Sequence, residues 1–439
     1  MSTSTLPEAI VAATTAFAVA VSSWAAEHPD CSLAALEDTV LSAGRSALAA
    51  VLQGAVVATQ RRLTATPVRC PSCQQAALLW DWRERQLQTL CGLLRWQRPW
   101  AHCGRCGHSF GAGDATLGVA ASDRRSAGVT AVLVALGATT SFREAARLLQ
   151  QTTGLVLSAE TIRGATETLG AALADQQDAT TAAYAAGEEP PLADVVSGVL
   201  VAETDGVMVR YQDGWHEVKV GVVGGWDASQ RRLRTPSYVA AREESSSFAQ
   251  RFGAEAARRG ALTVVGWHGA HQGVAELRPV VVLGDGARWI WEAAATQFGE
   301  RTEIIDYYHA CEHLTSAAAA LHGTASPQAV AWAAARRAAL LEQGGAAVLP
   351  YLVAPAALLP EAQAALRRER GYFRSNQARM QYPRFREQGL PIGSGAVESS
   401  AKHVIQQRLK RAGMRWSIPG GRSLIALRAQ HATQIGVAA

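Results

Sequence analysis

Apolar and polar positions along this chain fall into blocks of different period, and the blocks predict its elements. Residues 7 to 62 are Ala-rich and read as helical, with Cys31 a buried thiol. Pro67 and Pro71 break that pattern and open an irregular region running to about Gly113, inside which Leu87–Leu94 and Arg98–Trp100 suit a hairpin. Helical spacing returns from Asp123 to Gly170 in two or three short pieces. A linker rich in Ala, Glu and Pro, Ala182 to Pro191, then precedes strand signals at Gly198–Ala202, Val207–Tyr211 and Glu217–Trp226. Ser246–Arg259 reads as a helix, Val280–Leu283 as a buried strand, Ala287–Phe298 as a helix and Glu303–Tyr307 as a short strand. From His309 to about Arg386 the pattern is almost wholly helical, and Val397–Gly413 reads as a final long helix.

With 439 residues the chain has room for about three domains of ~150 residues. Hydrophobic residues make up 48% and charged residues 18%, so most of it can bury an ordinary core. The net charge of +5 says little about partners, but its distribution says more. Lys402, Arg408, Lys410, Arg411, Arg415, Arg422 and Arg428 occupy a stretch with no Asp or Glu, an imbalance suited to a phosphate backbone rather than a solvated face of mixed sign. The apolar run Ile10–Ala26 follows Glu8, lacks a basic leader and is rich in Ala, Thr and Ser. It reads as a core or dimer helix rather than a signal peptide or membrane span. A cytosolic chain is therefore expected, in which paired cysteines point to metal before disulfide.

Cys70-Pro-Ser-Cys73 and Cys103-Gly-Arg-Cys106 are two Cys-x-x-Cys knuckles. Two thiolates from one tight turn reach the same ion, and two such turns supply the closed four-thiolate site of structural zinc. A dithiol redox pair is the competing reading. Cys91 between the knuckles is a packing residue, and His102 and His108 are reserve ligands. Downstream, Ser141 stands as N-cap with Glu144 three positions on, and Phe142, Ala145, Ala146 and Leu149 keep helical spacing. Gly154 breaks that helix and Ser158 begins another carrying Ile162, Ala165 and Leu169. Two short helices across a Gly-containing turn have the shape of a helix-turn-helix, although any helical hairpin has the same pattern. As a DNA reader it would use Arg143, Ser158, Glu160, Thr161 and Arg163.

Asp205 and Asp285 each follow an apolar strand and precede Gly, and Glu398 opens the last predicted helix within Gly393-Ser-Gly-Ala-Val-Glu398. One Asp-Gly alone is most often a turn. Carboxylates in the order strand, strand, helix describe an RNase H-like core in which two Mg²⁺ (or Mn²⁺) ions serve one phosphoryl transfer.

Several strings carry a resemblance. Asp205-Gly-Val-Met208 with Trp215-His-Glu-Val-Lys-Val220, Gly284-Asp-Gly-Ala-Arg-Trp-Ile290, Ile305-Asp-Tyr-Tyr-His-Ala-Cys-Glu-His313, Pro391–Ser399 and Arg408–Trp416 resemble blocks of ISKra-type insertion-sequence transposases, and the zinc knuckles sit where that family has them. The resemblance implies a DDE triad of Asp205, Asp285 and Glu398, chemistry on terminal inverted repeats, and a helical insertion before the last acid. Asp306 and His309 resemble the Asp-x-x-His signature of Mutator-like transposases and are expected to support the active site. His309, Cys311 and His313 together tempt a second metal assignment, against which phosphate contact and packing both stand.

The full expectation is a multidomain α/β chain. It comprises an N-terminal helical region (1–66), a zinc ribbon (67–113) and a DNA-binding helix-turn-helix (114–185). An RNase H-like mixed-sheet core (192–309 and 391–439) follows, with a helical insertion (310–390) and a basic C-terminal helix. Expected partners are transposon-end and target DNA, contacted by Arg143, Ser158, Thr161, Arg163, Lys402, Arg408, Lys410, Arg411 and Arg415, with Trp289 and Trp416 as candidate base-stacking residues. A homodimer or larger assembly on DNA, joined through residues 7 to 62, and no membrane contact complete the expectation. A DNA-binding regulator without catalysis and an RNase H-like nuclease without strand transfer are the alternatives.

Overall fold

The computed structural model describes residues 5–64, 67–188, 190–192, 195, 198–261 and 279–435. Position 189 of the expected linker lies outside the described residues. The chain divides into two compact units, Met1–Ala165 and Thr166–Ala439.

The first unit opens with helices α1 (Leu6–Glu27) and α2 (Leu33–Thr64). Thr5 caps α1 in a complete capping box with Glu8. Small residues let the two helices approach closely, since a Cβ at Gly54 would stand 2.7 Å from that of Ala9. Both helices are long and apolar enough to cross a membrane by length and composition alone, which a soluble helix or a signal sequence also satisfies. Of α1 only Ala13 is buried, so it is not the core helix expected within one chain.

Strands β1 (Val68–Arg69), β2 (Ala76–Thr89), β3 (Gly92–His102) and β4 (Ser109–Gly111) form an antiparallel sheet in sequence order. The region expected to be irregular is thus mostly strand, and its hairpin is far longer than Leu87–Leu94, because β2 and β3 pair from Leu78↔His102 to Thr89↔Gly92. Helices α3 (Ala127–Thr139), α4 (Phe142–Thr153) and the start of α5 (Ala159–Ala185) follow. They share a core of Val129, Leu133, Ala145, Leu149, Leu155, Ile162 and Ala165. Ser141 accepts from the Glu144 amide at 3.2 Å, and Gly154 ends α4 at φ 73°. The α5 helix continues to Ala185, through the start of the expected linker, and Leu169 is 46% exposed rather than on the buried face.

The second unit is built on a five-stranded sheet with spatial order β7-β6-β5-β8-β9. Its strands are β5 (Val199–Tyr211), β6 (Gly214–Asp227), β7 (Arg232–Ala241), β8 (Val280–Gly284) and β9 (Arg301–Ile305). The pairs β5–β6 and β6–β7 are antiparallel, and β5–β8 and β8–β9 are parallel. Strand β8, Val-Val-Val-Leu-Gly, is buried throughout, as a parallel strand covered on both faces must be. The two strands expected at Gly198–Ala202 and Val207–Tyr211 are one, because β6 pairs along all of β5 from Val199↔Trp226 to Tyr211↔Gly214. Helix α6 (Ser245–Arg258) packs Phe252 against Gly221 of β6, where a Cβ would lie 2.7 Å from the ring.

Helix α7 (Arg288–Gln297) joins β8 to β9, and a helical excursion follows β9. It contains α8 (Tyr307–His322), α9 (Pro327–Gln343), a 3-10 segment (Gly345–Leu352), α10 (Pro360–Asn376) and α11 (Tyr382–Glu387). The chain returns as α12 (Gly395–Ser400), a π-helical turn (Ala401–Gln406) and the short α13 (Gln407–Leu409). The helix expected from Val397 to Gly413 therefore starts earlier, widens and stops at Leu409. It is also not the last, because α14 (Ile418–Ile435) lies beyond it. Pro419 is tolerated in the first turn of α14, where its missing N–H has no partner to lose. Gly421 brings that turn against Tyr211, whose ring a Cβ would meet at 2.6 Å.

Candidate functional site

In the first unit the two cysteine knuckles have the same backbone. Cys70 N donates to Gln75 O and Gln74 N to Cys70 O; Cys103 N donates to His108 O and Gly107 N to Cys103 O. The fifth residue of each turn is left-handed, Gln74 at φ 60° and Gly107 at φ 73°. Two similar turns therefore face each other with thiols inward. The Cys70 and Cys106 sulfurs are 3.6 Å apart and those of Cys73 and Cys103 3.5 Å, and all four gather within 4.8 Å. A tetrahedron of ~2.3 Å Zn–S bonds has edges of about 3.8 Å, so the donor set fits structural zinc. Amides of Cys106 and Arg105 lower the Cys103 thiol to about 6, whereas the Cys106 thiol, which the His108 amide lowers, is raised to about 12 by its neighbours Cys70, Cys73 and Cys103 and by burial. His102 bonds Ser109 at 2.9 Å and His108 stacks on Phe110, so neither reserve ligand is used. All seven cysteines are free of disulfides.

In the second unit two of the predicted acids, Asp205 and Asp285, lie at the same end of neighbouring strands β5 and β8. The β5–β8 ladder runs Leu200↔Val280 to Glu203↔Leu283; two residues beyond that last pair lie Asp205, still on β5, and Asp285, in the bend that follows the end of β8 at Gly284. Asp285 Oδ1 accepts from Ala287 N at 2.8 Å in a tight turn that needs Gly286 at φ 107°. The Tyr372 hydroxyl, from the helical excursion, donates to the Asp285 carbonyl at 2.9 Å.

Glu398 reaches the same region from α12 through two carboxyl groups beneath it. Glu203, on the same face of β5 as Asp205, accepts from Val397 N at 2.8 Å. Burial pushes the Glu203 carboxyl up to about 8, against the lowering effect of the Val397 amide, and Asp306 and Glu398 raise it further. Asp306, 1% exposed, accepts from His309 N at 2.9 Å with Oδ1 and from both Ser394 N (2.5 Å) and the Ser394 hydroxyl with Oδ2. It ties the end of β9 to the loop that leads into α12.

The electrostatics of Asp205 report the company it keeps. Burial raises its pKa, the Gly206 amide opposes that, Asp285 and Glu398 raise it again, and His309 lowers it. Asp285 and Glu398 therefore place negative charge beside Asp205 at one end of the sheet. Among the described residues the four cysteines are the one group whose ligand atoms gather within 4.8 Å; the three acids stand farther apart. His309 packs edge-on to His313 at 4.9 Å between centroids, and His313 stacks on Tyr372 at 3.7 Å and bonds Glu369 at 2.5 Å. With His313 so engaged and Cys311 buried apart, the second metal site weighed at His309, Cys311 and His313 does not form.

Glu398 lies on the wall of an open groove of about 710 Å³ that Tyr308, Arg231 and Arg386 also line. Neither arginine was singled out from the sequence: Arg231 lies in the turn before β7 beside Arg232, and Arg386 lies in the short α11 with Arg384. Of the predicted basic residues, Lys402, Lys410, Arg411 and Arg415 are exposed, as are Arg143, Ser158 and Arg163, with Thr161 half-buried. Ser158 accepts from Thr161 N at 3.1 Å, and Arg163 pairs with Glu160 at 2.9 Å. Arg408 corrects the expectation, because it is fully buried with its guanidinium 4.9 Å over Trp416. Trp416 is itself buried and donates to Leu409 O, so it serves packing rather than base stacking, whereas Trp289 is half-buried with its ring at a steep angle to Phe248. Arg428 is buried on the carbonyls of His403 and Val404, and Arg422 pairs with Asp175 and Asp178.

A family model described as Uncharacterised protein family (UPF0236) matches residues 72–438, nearly the whole second unit and much of the first. A comparison with curated proteins finds no match. The chain belongs to the UPF0236 family.

Proposed function

We propose that this chain is a DDE transposase whose second unit is an RNase H-like core acting on transposon ends through Asp205, Asp285 and Glu398. The strand order β7-β6-β5-β8-β9, with three antiparallel strands followed by two parallel to β5, is the topology that reading requires. The observation that carries it is that Asp205 and Asp285 each lie two residues beyond the last β5–β8 pair, with Asp285 and Glu398 close enough to raise the pKa of Asp205. Negative charge gathered beside Asp205 is what a divalent cation relieves, and hard carboxylate oxygens suit Mg²⁺ or Mn²⁺. Bound by these acids, a pair of such ions would supply activation of water and stabilisation of a leaving 3′ oxygen. The chain's own residues hold and orient. Glu203 and Asp306 fix the turn that presents Glu398, and Tyr372 supports Asp285. Arg231 and Arg386 line the groove where a DNA backbone would lie, with Lys402 exposed on the π turn that follows α12.

In this reading the four-cysteine site holds structural zinc, and the α4–α5 pair reads DNA with Arg143, Ser158, Thr161 and Arg163. A paired-end complex would draw two copies together, through the exposed apolar faces of α1 and α2. The resemblance of the Asp205, Asp285, His309 and Glu398 blocks to ISKra-type transposases supports the same reading.

The test begins by sequencing DNA that copurifies with the protein and aligning its ends. On labelled DNA carrying those ends, the wild-type chain is expected to nick with Mg²⁺ or Mn²⁺ and to join the 3′-hydroxyl end to a plasmid. Asp285→Asn is expected to bind the same DNA and lose nicking at least 100-fold, on the order of 3 kcal/mol in the barrier. Full nicking by Asp285→Asn would remove the triad. Nicking without joining would leave a nuclease, and binding without nicking in the wild type a regulator.

A further inference from the structure

Between Gln363 and Arg386 the helical excursion carries seven arginines and a single acid, Glu369. Glu369 is buried and bonded to His313 at 2.5 Å, so it adds nothing to the surface. Four of the arginines, Arg367, Arg368, Arg370 and Arg374, are exposed on α10, and among the described residues none has a carboxylate within ion-pair reach. Arg367 meets only the Gln363 side chain, at 3.5 Å. In α4, α5 and α7, by contrast, the exposed Arg147, Arg163 and Arg288 each pair with a glutamate three or four positions away. Arg367, Arg370 and Arg374 follow one another at spacings of three and four, which puts them on one side of α10, where like charges destabilise a helix. Gly371 lies amid them, four positions after Arg367, three after Arg368 and three before Arg374. It is exposed within the helix, where glycine is unfavourable, and a Cβ there would meet nothing within 4 Å. Among the described residues, then, no neighbour requires its missing side chain.

A face that gathers mutually repelling cations around bare backbone, at a cost to its own helix, suits a polyanion lying close against it. A nucleic-acid backbone supplies negative charge at a regular spacing, and guanidinium groups bind phosphate oxygens in pairs. The residue after Gly371, Tyr372, donates to the Asp285 carbonyl at 2.9 Å, so this face begins beside the second acid. We propose that a DNA backbone crosses α10 at Gly371, with its phosphates held by Arg367, Arg370 and Arg374, within about one duplex turn of the transposon terminus. The proposal rests on the DDE reading of the chain and gives the excursion a DNA contact surface of its own. Bound phosphates would relieve the repulsion that the free helix carries.

The test uses the zinc-loaded full chain and a fluorescein-labelled duplex that carries the transposon terminus with flanking DNA beyond it. Arg367→Gln, Arg370→Gln and Arg374→Gln should each flatten the log–log dependence of affinity on salt by about 0.9. Gly371→Leu should raise the melting temperature, because leucine favours a helix, and yet weaken binding about tenfold, equivalent to about 1.4 kcal/mol. A merely solvated face would gain that stability and keep its affinity. Ethylation interference should mark phosphates that the wild type needs and the triple arginine variant does not, all within about ten base pairs of the terminus. Unchanged salt slopes, undiminished affinity in Gly371→Leu, or marked phosphates only farther from the terminus would each overturn the proposal while leaving DNA binding intact. Nicking by the wild type and its loss in Asp285→Asn test the DDE reading by itself. Failure of the wild type to bind any DNA removes both this proposal and the reading beneath it.

Discussion

Glu203 accepts the backbone hydrogen of Val397 at 2.8 Å, so the strand that carries Asp205 holds the first turn of the helix that carries Glu398. Two of the three acids are thus placed by one buried contact between residues far apart in the chain. Because Glu203 is buried and its carboxyl is raised to about 8, the folded protein retains a proton there that the unfolded chain loses near pH 4–5. A raised folded pKa contributes stability below the unfolded value, and that contribution is lost as pH rises to the folded value. Stability relative to Glu203→Gln should therefore fall between about pH 5 and 8 by on the order of a few kcal/mol. Thermal melts of both proteins across that window check this, and parallel pH profiles would discard it.

Asp306 is the second anchor. Asp306→Ala leaves the amides of His309 and Ser394 without their acceptor and is expected to cost about 3 kcal/mol, whereas Ser394→Ala should cost about 1 kcal/mol. Denaturant unfolding measures both. Equal small losses would mean that the loop before Glu398 is held elsewhere.

The cysteine site predicts a metal stoichiometry. About one zinc per chain should be found, Cys70→Ser should lower it, and chelation should unfold the sheet of the first unit, since Cys70 and Cys103 belong to its core with Ala77, Ala101 and Ala112. Elemental analysis with circular dichroism reads the result. Zinc retained in full by Cys70→Ser would refute the assignment.

Burial divides the basic C-terminal stretch into two kinds of cation. Lys410→Ala and Arg415→Ala should each flatten the dependence of DNA affinity on salt by about 0.9 in log–log slope. Arg408→Met should leave that slope alone and alter stability, because its charge is buried over Trp416, where burial itself lowers its pKa to about 10. Titrations at several salt concentrations decide, and a lowered slope for Arg408→Met would bring that residue to the DNA.

The parts of this architecture written locally were legible in the sequence. Cysteine spacing named all four thiols, and the apolar run before Asp285 named its strand. Gly206 misled, since Asp-Gly reads as a turn. Here it lies mid-strand because a side chain there would collide with the Glu217 carboxylate. Pro419, Gly420 and Gly421 hid α14 in the same way, by resembling a break where they permit close packing. Glu203 gave no sign at all: one acid in an apolar run does not reveal an amide that meets it only through the fold. Arg408 shows the converse, because a count of charges carries no information about which of them face water.

The excursion between the second and third acids is bolted to the sheet by two phenols, Tyr372 on the Asp285 carbonyl and Tyr382 on that of Ile305. It therefore behaves as scaffolding rather than ornament. Shortened versions of this chain should tolerate losses in the α9 region far better than losses near either tyrosine, and a trimmed protein that discarded both would keep its strands while letting Asp285 drift.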